Sequence, residues 1–281
     1  MLKSELEFSV KGGNEIMRLL LKGKLAVVTG STRGIGLATA KGLVQMGAEV
    51  ILNGRTQSAI DRAVSSIRKD NKDAKLHGVA ADLSNASGCA AVIGAFPEVD
   101  ILVNNMGVYE PKSFFDVLDE DWEWMFNANV MSGVRLTRHY LQRMLDKKNW
   151  GRVVFVSSES GVLIPKEMVH YGFSKSAQLS IARGAAEYTK ETNITVNSVL
   201  PGPTWVEASE ERLSARAAAQ NTTVGALKAS LFSERRRSSL LQRFATPEEV
   251  ANMICYVCST QSSATNGATL RVEGGIVTNP F

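Results

Sequence analysis

The chain of 281 residues is 44% hydrophobic and 21% charged, so it is long enough to bury the core of one large α/β domain. Its 32 basic and 28 acidic residues leave a formal charge of +4, an imbalance too small to predict a surface that binds nucleic acid or membrane. No apolar run approaches the ~20 residues of a membrane-spanning helix. We therefore expect neither nucleic acid nor a membrane among the partners.

The three cysteines favour a reduced compartment. Three thiols are too few for a disulfide framework, so the cytoplasm is the default expectation. Cys255 and Cys258 have the C-x-x-C spacing, but they stand in an amphipathic helix pattern and are predicted to be small buried hydrophobic residues. The sequence thus predicts no metal site.

The amino-terminal residues differ from the rest of the chain. Residues 1–16 have no clear period, and we expect them to form a flexible extension. Residues 17–281 are predicted to form a single domain, because no second core pattern follows. Met1 and Met17 are both candidate translation starts.

A glycine-rich turn follows the first predicted strand, Leu25–Val28. Residues 29–36 read T-G-S-T-R-G-I-G and lead into a helix pattern. This order predicts a βα unit whose backbone N–H groups bind a dinucleotide pyrophosphate. The glycines allow a tight turn, a close approach to the phosphates and close packing of the helix on the strand. The predicted contacts are Gly30, Ser31, Thr32, Arg33, Gly34, Ile35 and Gly36.

The second predicted strand, residues 48–52, ends without a carboxylate. An acidic residue near this strand end would bond the adenosine ribose hydroxyls and repel a 2′-phosphate. Here Arg55 follows the strand, and Arg33 lies in the glycine turn. Two guanidinium groups suit a dianionic phosphate. The sequence therefore predicts NADP(H) as the preferred cofactor, with NAD(H) as the alternative.

Strand and helix patterns alternate along the remaining chain. Such alternation predicts a Rossmann-type α/β fold, a doubly wound parallel seven-stranded sheet with helices on both faces. Ligands bind such sheets at the carboxyl ends of the strands. The other strands are predicted over residues 75–80, 99–103, 152–156, 194–200 and 268–272, and the other helices over 57–70, 119–147 and 246–259.

The residues after the fifth strand carry a pattern for acid–base chemistry. Ser158 follows the strand, Tyr171 comes thirteen positions later, and Lys175 shares a helix face with Tyr171. A free tyrosine titrates near pH ~10. The Lys175 ammonium is expected to lower the pKa of Tyr171, which makes the tyrosine a general acid or base. Ser158 is expected to hydrogen-bond the same substrate oxygen.

These motifs, in this order, resemble the short-chain dehydrogenase/reductase family. The resemblance covers residues 22–276 and includes T-G-x-x-x-G-x-G, N-N-x-G over residues 104–107, and Y-x-x-x-K. Met106 departs from the family's usual alanine. The resemblance implies an NADP(H)-dependent oxidoreductase that interconverts a ketone or aldehyde and an alcohol by hydride transfer. It also implies a homo-oligomer, a tetramer or a dimer.

The resemblance assigns further roles. Asn129, with Asn127 as its rival, matches the asparagine that interrupts a helix and holds a water in a proton relay. Lys175 would also bind the nicotinamide ribose. Val206 stands where many members have threonine, and Thr204 is a candidate substitute. The further cofactor contacts that it implies are Asp82, Leu83, Asn105, Gly107, Tyr171, Lys175, Pro201, Gly202 and Thr204.

Two expectations have a simpler alternative. Asp82 would contact the adenine edge in the family, but it could instead cap a helix that begins near Ser84. Residues 204–243 correspond by position to a substrate-covering lid. Within them, the basic run of residues 235–237 is predicted to be a solvated face in preference to an anion clamp.

Three other functions stay open. A 3-oxoacyl-acyl-carrier-protein ketoreductase would use the basic run of residues 235–237 as its docking patch. A non-catalytic NADP(H)-binding module would signal through a partner. An epimerase or dehydratase of the related longer family is disfavoured by the glycine spacing. The sequence does not specify the small-molecule substrate.

Overall fold

A parallel sheet organises the part of the chain that the computed structural model describes, residues 20–147 and 150–280. Seven strands in these residues follow the order β3-β2-β1-β4-β5-β6-β7, so the strand order reverses between β1 and β4. The predicted doubly wound topology is confirmed. The strands are β1 (Leu25–Val28), β2 (Glu49–Gly54), β3 (Leu76–Ala80), β4 (Ile101–Asn104), β5 (Trp150–Val156), β6 (Asn193–Pro201) and β7 (Thr269–Val272).

Helices cover both faces of the sheet. One hydrophobic core lies between the sheet and α1, α2 and α9, and a second lies between the sheet and α3, α5 and α6. Both faces of the central strands are therefore buried, as a parallel sheet requires. The α-helices are α1 (Gly34–Gln45), α2 (Gln57–Asp70), α3 (Ala86–Ala95), α4 (Asp119–Phe126), α5 (Ser132–Lys147), α6 (Val169–Ala186), α7 (Glu207–Ala219), α8 (Val224–Ser230) and α9 (Pro247–Cys258).

The three cysteines are free thiols inside these cores. Cys255 and Cys258 lie on α9 in the first core, and Cys89 lies on α3 in the second. The prediction that Cys255 and Cys258 are small buried hydrophobic residues is confirmed.

Two helix boundaries differ from the prediction. Helix α3 begins at Ala86, because the Asn85 side chain caps it by accepting a hydrogen bond from the Gly88 N–H at 2.8 Å. Asp82 accepts from the Ser84 N–H instead, so the alternative role of Asp82 as the helix cap is wrong. The predicted helix over residues 119–147 is divided into α4 and α5 by a π-helical turn, Asn127–Met131.

The segment 204–243, called the lid segment below, has its own small core. Leu213, Ala217 and Leu227 form it, with Trp205 and Phe244 packed against them. Across residues 20–147 and 150–280, none of the helices is long and apolar enough to cross a membrane. The predicted flexible extension, residues 1–16, and the choice between Met1 and Met17 lie outside the described residues.

Candidate active site

The glycine turn between β1 and α1 has the backbone that its sequence predicts. Gly30 has φ +60°, in the left-handed region that favours glycine. A Cβ on Gly36 would lie 2.4 Å from the Gly30 carbonyl oxygen and 2.5 Å from Asn105 Nδ2. A side chain is therefore excluded at position 36, and the N–H groups of the turn lie at the amino end of a twelve-residue helix. The turn fits a dinucleotide pyrophosphate.

Two asparagines hold the turn in place. Asn105 Nδ2 donates to the carbonyl oxygens of Thr29, at 2.8 Å, and Gly30, at 3.1 Å. Asn53, at the end of β2, accepts from the Gly30 N–H through Oδ1 and donates its own N–H to Ser31 Oγ. The amide of Asn105 and the hydroxyl of Ser31 are thus engaged within the protein. The sequence analysis missed Asn53, although an amide at a strand end was a signal for it.

The ends of β1 and β2 present two arginines. Arg33 stands at the amino end of α1 with extended backbone and an exposed side chain. Arg55 directly follows β2 and is also exposed. Because β1 and β2 are adjacent parallel strands, both residues follow strands that end at the same edge of the sheet. The residues that end β2, Asn53 and Gly54, include no carboxylate.

The other residues predicted for the adenosine end differ in exposure. Asp82, after β3, is exposed, whereas Leu83 is 1% exposed and its side chain belongs to the second core. Only the backbone of Leu83 is therefore free to face a ligand. Thr32 packs its methyl group against Gly54, where a Cβ would lie 2.5 Å away.

A cavity of about 690 Å³ lies between the carboxyl ends of the strands and the lid segment. It brings together residues from β5, β6, α6 and α7 and from the loop after β4, which are distant in sequence. The glycines of the turn, Arg33, Arg55 and Asp82 lie outside its lining. The predicted site residues that line it are Ile35, Asn105, Gly107, Ser158, Tyr171, Lys175, Pro201, Gly202 and Thr204.

Tyr171 and Ser158 form the polar wall of this cavity. Burial raises the pKa of Tyr171 well above its ordinary value, the charge of Glu159 raises it further, and a hydrogen bond with Ser158 opposes the shift. The predicted lowering by Lys175 is therefore wrong for this arrangement. The physical reason is that burial destabilises the phenolate more than the hydrogen bond with Ser158 stabilises it.

Lys175 is buried below Tyr171, with its ammonium 5.7 Å from the centre of the tyrosine ring. Nζ donates to the Val156 carbonyl at 3.0 Å and to Gln178 Oε1 at 3.1 Å. Burial lowers the pKa of Lys175 to about 7. Near neutral pH this lysine is therefore only partly charged. A Cβ on Gly107 would lie 3.2 Å from Nζ, so the glycine leaves space for the lysine.

Asn129 lies in the π-helical turn and faces α6. Its Nδ2 donates to Ser174 Oγ at 2.9 Å, and its backbone carbonyl accepts from Gln178 Nε2 at 2.6 Å. Asn127, its rival, donates to the Glu123 carbonyl one turn back and is half-buried. The geometry thus favours Asn129 as the residue linked to the cavity wall.

Gln178 joins Asn129 to Lys175, and the sequence analysis missed it. The side chain is 1% exposed, accepting from the lysine through Oε1 and donating to the Asn129 carbonyl through Nε2. Its position three residues after Lys175 puts the two side chains on one helix face, which was the available signal.

The basic run contains one buried residue. Arg236 is 9% exposed, and its Nε donates to Glu159 Oε1 at 3.2 Å. Arg235 lies 3.6 Å from Glu167, and Arg237 is exposed. The prediction of a solvated face is therefore wrong for Arg236, because a buried carboxylate of the cavity wall requires a charged partner.

The turn after β6 lies against the lid segment. Thr204 Oγ1 donates to the Gly202 carbonyl at 3.0 Å, so this hydroxyl already has a partner. Val206, the residue before α7, lies over the glycine turn, with its Cγ1 3.1 Å from the position of a Cβ on Gly34. The lid segment thus covers both the cavity and the glycine turn.

The fold and the site together define an oxidoreductase of Rossmann type. Residues 24–217 match the family model described as short chain dehydrogenase. The chain belongs to the short-chain dehydrogenase family, whose members act on carbonyl and alcohol groups. The predicted family, fold class and enzyme class are confirmed.

Relatives cover nearly the whole chain. YvrD, an oxidoreductase of Bacillus subtilis, is 48% identical over 266 residues, which cover 93% of this chain and 99% of YvrD. The 3-oxoacyl-acyl-carrier-protein reductase FabG of Aquifex aeolicus is 31% identical over 268 residues, covering 92% of this chain and 100% of FabG. The crystal structure of L-sorbose reductase from Gluconobacter frateurii, complexed with NADPH and L-sorbose, matches with a TM-score of 0.87 and 27% identity, covering 94% of this chain and 100% of that one.

Proposed function

We propose that the protein is an NADP(H)-dependent reductase of a small ketone or aldehyde, with Tyr171 as its general acid. The observation that carries this proposal is the meeting of Ser158, Tyr171 and Lys175 in one cavity wall. The cavity continues toward a glycine turn that fits a pyrophosphate. This combination of a dinucleotide turn and a tyrosine acid suits hydride transfer coupled to proton transfer.

The proposed preference for the 2′-phosphate of NADP(H) rests on the residues at the carboxyl ends of β1 and β2. Arg33 and Arg55 are exposed there, and no carboxylate ends β2. Guanidinium groups bind a 2′-phosphate by bidentate charge-assisted hydrogen bonds. The NADPH in the L-sorbose reductase structure supports the same preference, and NAD(H) is the alternative.

The proton comes from Tyr171. When bound, NADP(H) supplies the hydride in reduction or accepts it in oxidation. Because burial raises the pKa of Tyr171, its hydroxyl is protonated at neutral pH and suits a donor to the carbonyl oxygen. Ser158 donates to that oxygen and orients it once its hydroxyl turns away from Glu159, to which it donates in the structure without substrate. In the reverse direction Tyr171 must first lose its proton, so we expect oxidation of the alcohol to be fastest at alkaline pH.

When it carries its proton, Lys175 stabilises the phenolate that proton transfer leaves on Tyr171. Its hydrogen bond to Gln178, which itself donates to the Asn129 carbonyl, fixes the position of the ammonium. Asn129 and Gln178 therefore act through Lys175 as positioning residues, and Gln178 occupies the bridge that the family resemblance assigns to a water.

Cofactor titration tests this function. NADPH and NADH are titrated against the intrinsic tryptophan fluorescence of the wild type, Arg55→Ala and the control Arg62→Ala, an exposed arginine on α2. We expect NADPH to bind at least ~10-fold more tightly than NADH, about 1.4 kcal/mol, and only Arg55→Ala to remove the difference. Equal or tighter binding of NADH contradicts the arginine argument. Absence of binding by either cofactor favours the non-catalytic module.

The acyl-carrier-protein ketoreductase remains the second candidate, and its support is the 31% identity with FabG. A docking patch that includes Arg236 is disfavoured, because that side chain is buried against Glu159. Reduction of acetoacetyl carried on acyl carrier protein, compared with free ethyl acetoacetate, tests this candidate. Carrier-bound turnover that falls in Arg237→Ala favours it, whereas no turnover of the carrier-bound form rejects it.

We also infer a homo-oligomer, a tetramer or a dimer, formed by one domain over residues 17–281 that includes the lid segment. An exposed aromatic surface on α4 and α6 supports assembly, since Trp124, Phe126 and Phe173 are each more than a third exposed. The free thiols support a cytoplasmic location. Light scattering after size-exclusion chromatography tests the assembly, and Phe173→Glu is expected to shift it toward the monomer.

A further inference from the structure

A buried ion pair joins the lid segment to the acid–base residues. Ser158 Oγ donates to Glu159 Oε2 at 2.6 Å, and Arg236 Nε donates to Glu159 Oε1 at 3.2 Å. Glu159 is 5% exposed and Arg236 is 9% exposed, and both line the cavity. The ion pair is therefore hydrogen-bonded directly to the hydroxyl of Ser158.

The two charges come from different parts of the molecule. Glu159 begins the short helical turn after β5, whereas Arg236 ends the π-helical turn Leu231–Arg235 of the lid segment. The Arg236 backbone N–H donates to the Leu231 carbonyl at 2.8 Å, so the arginine is fixed to the lid segment by its main chain. Removing one partner of a buried pair leaves an uncompensated charge, which is strongly unfavourable.

We propose, on the basis of the function proposed above, that Glu159 and Arg236 form a latch that couples closure of the lid segment to the arrangement of Ser158 and Tyr171. Closure delivers the guanidinium to Glu159. Before substrate binds, the paired carboxylate accepts a hydrogen bond from the Ser158 hydroxyl and holds it in place. Because Arg236 keeps the carboxylate paired, the hydroxyl is then free to turn and donate to the substrate oxygen beside Tyr171. Both latch residues are positioning residues, because they act through Ser158.

The carboxylate of Glu159 also acts electrostatically on the hydroxyl of Tyr171. The other charged or titratable groups around this tyrosine are Lys175 on its own helix and Tyr109, after β4, whose ring is covered by Arg212 from α7. Glu159 contributes to the raised pKa of Tyr171. Replacing Glu159 with glutamine removes that charge and keeps the size of the side chain.

The first test follows the lid segment by hydrogen exchange of the backbone amides in residues 231–239. The variants are Glu159→Gln, Arg236→Met and Arg236→Lys, with Arg237→Met as the control on the exposed neighbour. We expect exchange to rise at least ~10-fold in Glu159→Gln and Arg236→Met, and to stay near the wild-type rate in Arg236→Lys and Arg237→Met. Unchanged exchange in Glu159→Gln, a residue outside the lid segment, overturns the latch.

The second test follows Tyr171 without substrate or cofactor. The phenolate absorbance of each protein is recorded against pH, and that of the same protein carrying Tyr171→Phe is subtracted. We expect ionisation of Tyr171 to begin about 1 pH unit lower in Glu159→Gln than in the wild type. Identical curves overturn the role of Glu159 at the acid–base pair, because a purely structural role for the ion pair would not move them.

Turnover separates the latch from simple substrate binding. With NADPH and ethyl acetoacetate or L-sorbose as probes, Arg236→Met is expected to lower kcat at least ~10-fold with unchanged affinity for NADPH, and Arg236→Lys to restore it. A rise in the carbonyl KM with unchanged kcat overturns the latch and makes Arg236 a substrate contact. The exchange and absorbance tests decide the proposal even where wild-type protein binds no NADPH, an outcome that would count only against the proposed function.

Discussion

The glycine turn and the lid segment that covers it are built differently. The turn is fixed by hydrogen bonds between the main chain and the side chains of Asn53 and Asn105. It rests on strands that are buried on both faces. The lid segment has a core of three buried residues in the described chain, and its buried ion pair to the rest of the molecule runs from Arg236 to Glu159.

This difference indicates that the two regions have different roles, one in cofactor binding and the other in substrate entry. We expect the rigid turn to hold the pyrophosphate of the proposed cofactor in one geometry, and we expect a segment with a small core to open at a low free-energy cost and admit the substrate. Tyr171 stands between the two regions, because α6 packs on the sheet and its amino end faces the lid segment. Substitutions in the three places are therefore expected to change different quantities.

The largest effect is expected at Tyr171. Tyr171→Phe removes the proposed proton donor and keeps the ring, so kcat should fall by about 10²- to 10⁴-fold. The affinity for NADPH should stay within ~3-fold, since the glycine turn is untouched. Steady-state reduction of ethyl acetoacetate and a fluorescence titration measure the two quantities. Full activity of the variant would mean that another group supplies the proton.

The next largest effect is expected in the glycine turn. In Gly36→Ala the new Cβ would lie 2.4 Å from the Gly30 carbonyl oxygen, so the turn must shift. We expect the free energy of unfolding to fall by about 1–3 kcal/mol and NADPH affinity to fall at least ~10-fold. Urea unfolding and fluorescence titration measure these changes.

Gly184→Ala provides the matched control. A Cβ on Gly184 has no atom within 4 Å, and the residue lies inside α6. Alanine should therefore stabilise the helix by about 0.5–1 kcal/mol and leave NADPH binding unchanged. Equal losses in both variants would contradict the tight packing of the glycine turn.

The same difference explains what could be predicted from the sequence. The strands, the glycine turn and the spacing of Ser158, Tyr171 and Lys175 depend on short segments, so their patterns are local. The family and fold that these patterns indicated are confirmed, while the roles of the individual site residues stay predictions.

The missed contacts join residues that are distant along the chain. Arg236 and Glu159 are 77 positions apart, and Asn129 and Gln178 are 49 apart. No local pattern specifies such pairs, because the fold alone brings them together. For the same reason the raised pKa of Tyr171 was not predicted, since it depends on burial by several elements.

A pH-dependent stability is expected from Lys175. Burial lowers its pKa to about 7 from an ordinary 10.5, so between these values the unfolded chain binds the proton that the folded chain has lost. Stability should therefore rise with pH above 7, until the raised pKa of Tyr171 reverses the slope above about pH 10.

Lys175→Met tests this dependence. Between pH 7 and about 9 the free energy of unfolding of the wild type should rise relative to the variant, with a slope of at most about 1.4 kcal/mol per pH unit. Urea unfolding at several pH values measures the difference. A constant difference across this range would mean that Lys175 keeps its proton in the folded protein.

The smallest effect on global stability is expected in the lid segment, and a matched pair of leucines measures it. Leu102, in β4, is fully buried in the second core, and Leu102→Ala should cost about 2–5 kcal/mol of unfolding free energy. Leu227, in α8, is 7% exposed but belongs to the small lid core. We expect this core to open without unfolding the sheet, so Leu227→Ala should cost less than about 1 kcal/mol globally, while it raises the carbonyl KM and leaves NADPH affinity unchanged. If both variants lose the same unfolding free energy, the lid segment folds as one cooperative unit with the sheet, and substrate entry must use a motion smaller than the opening of this core.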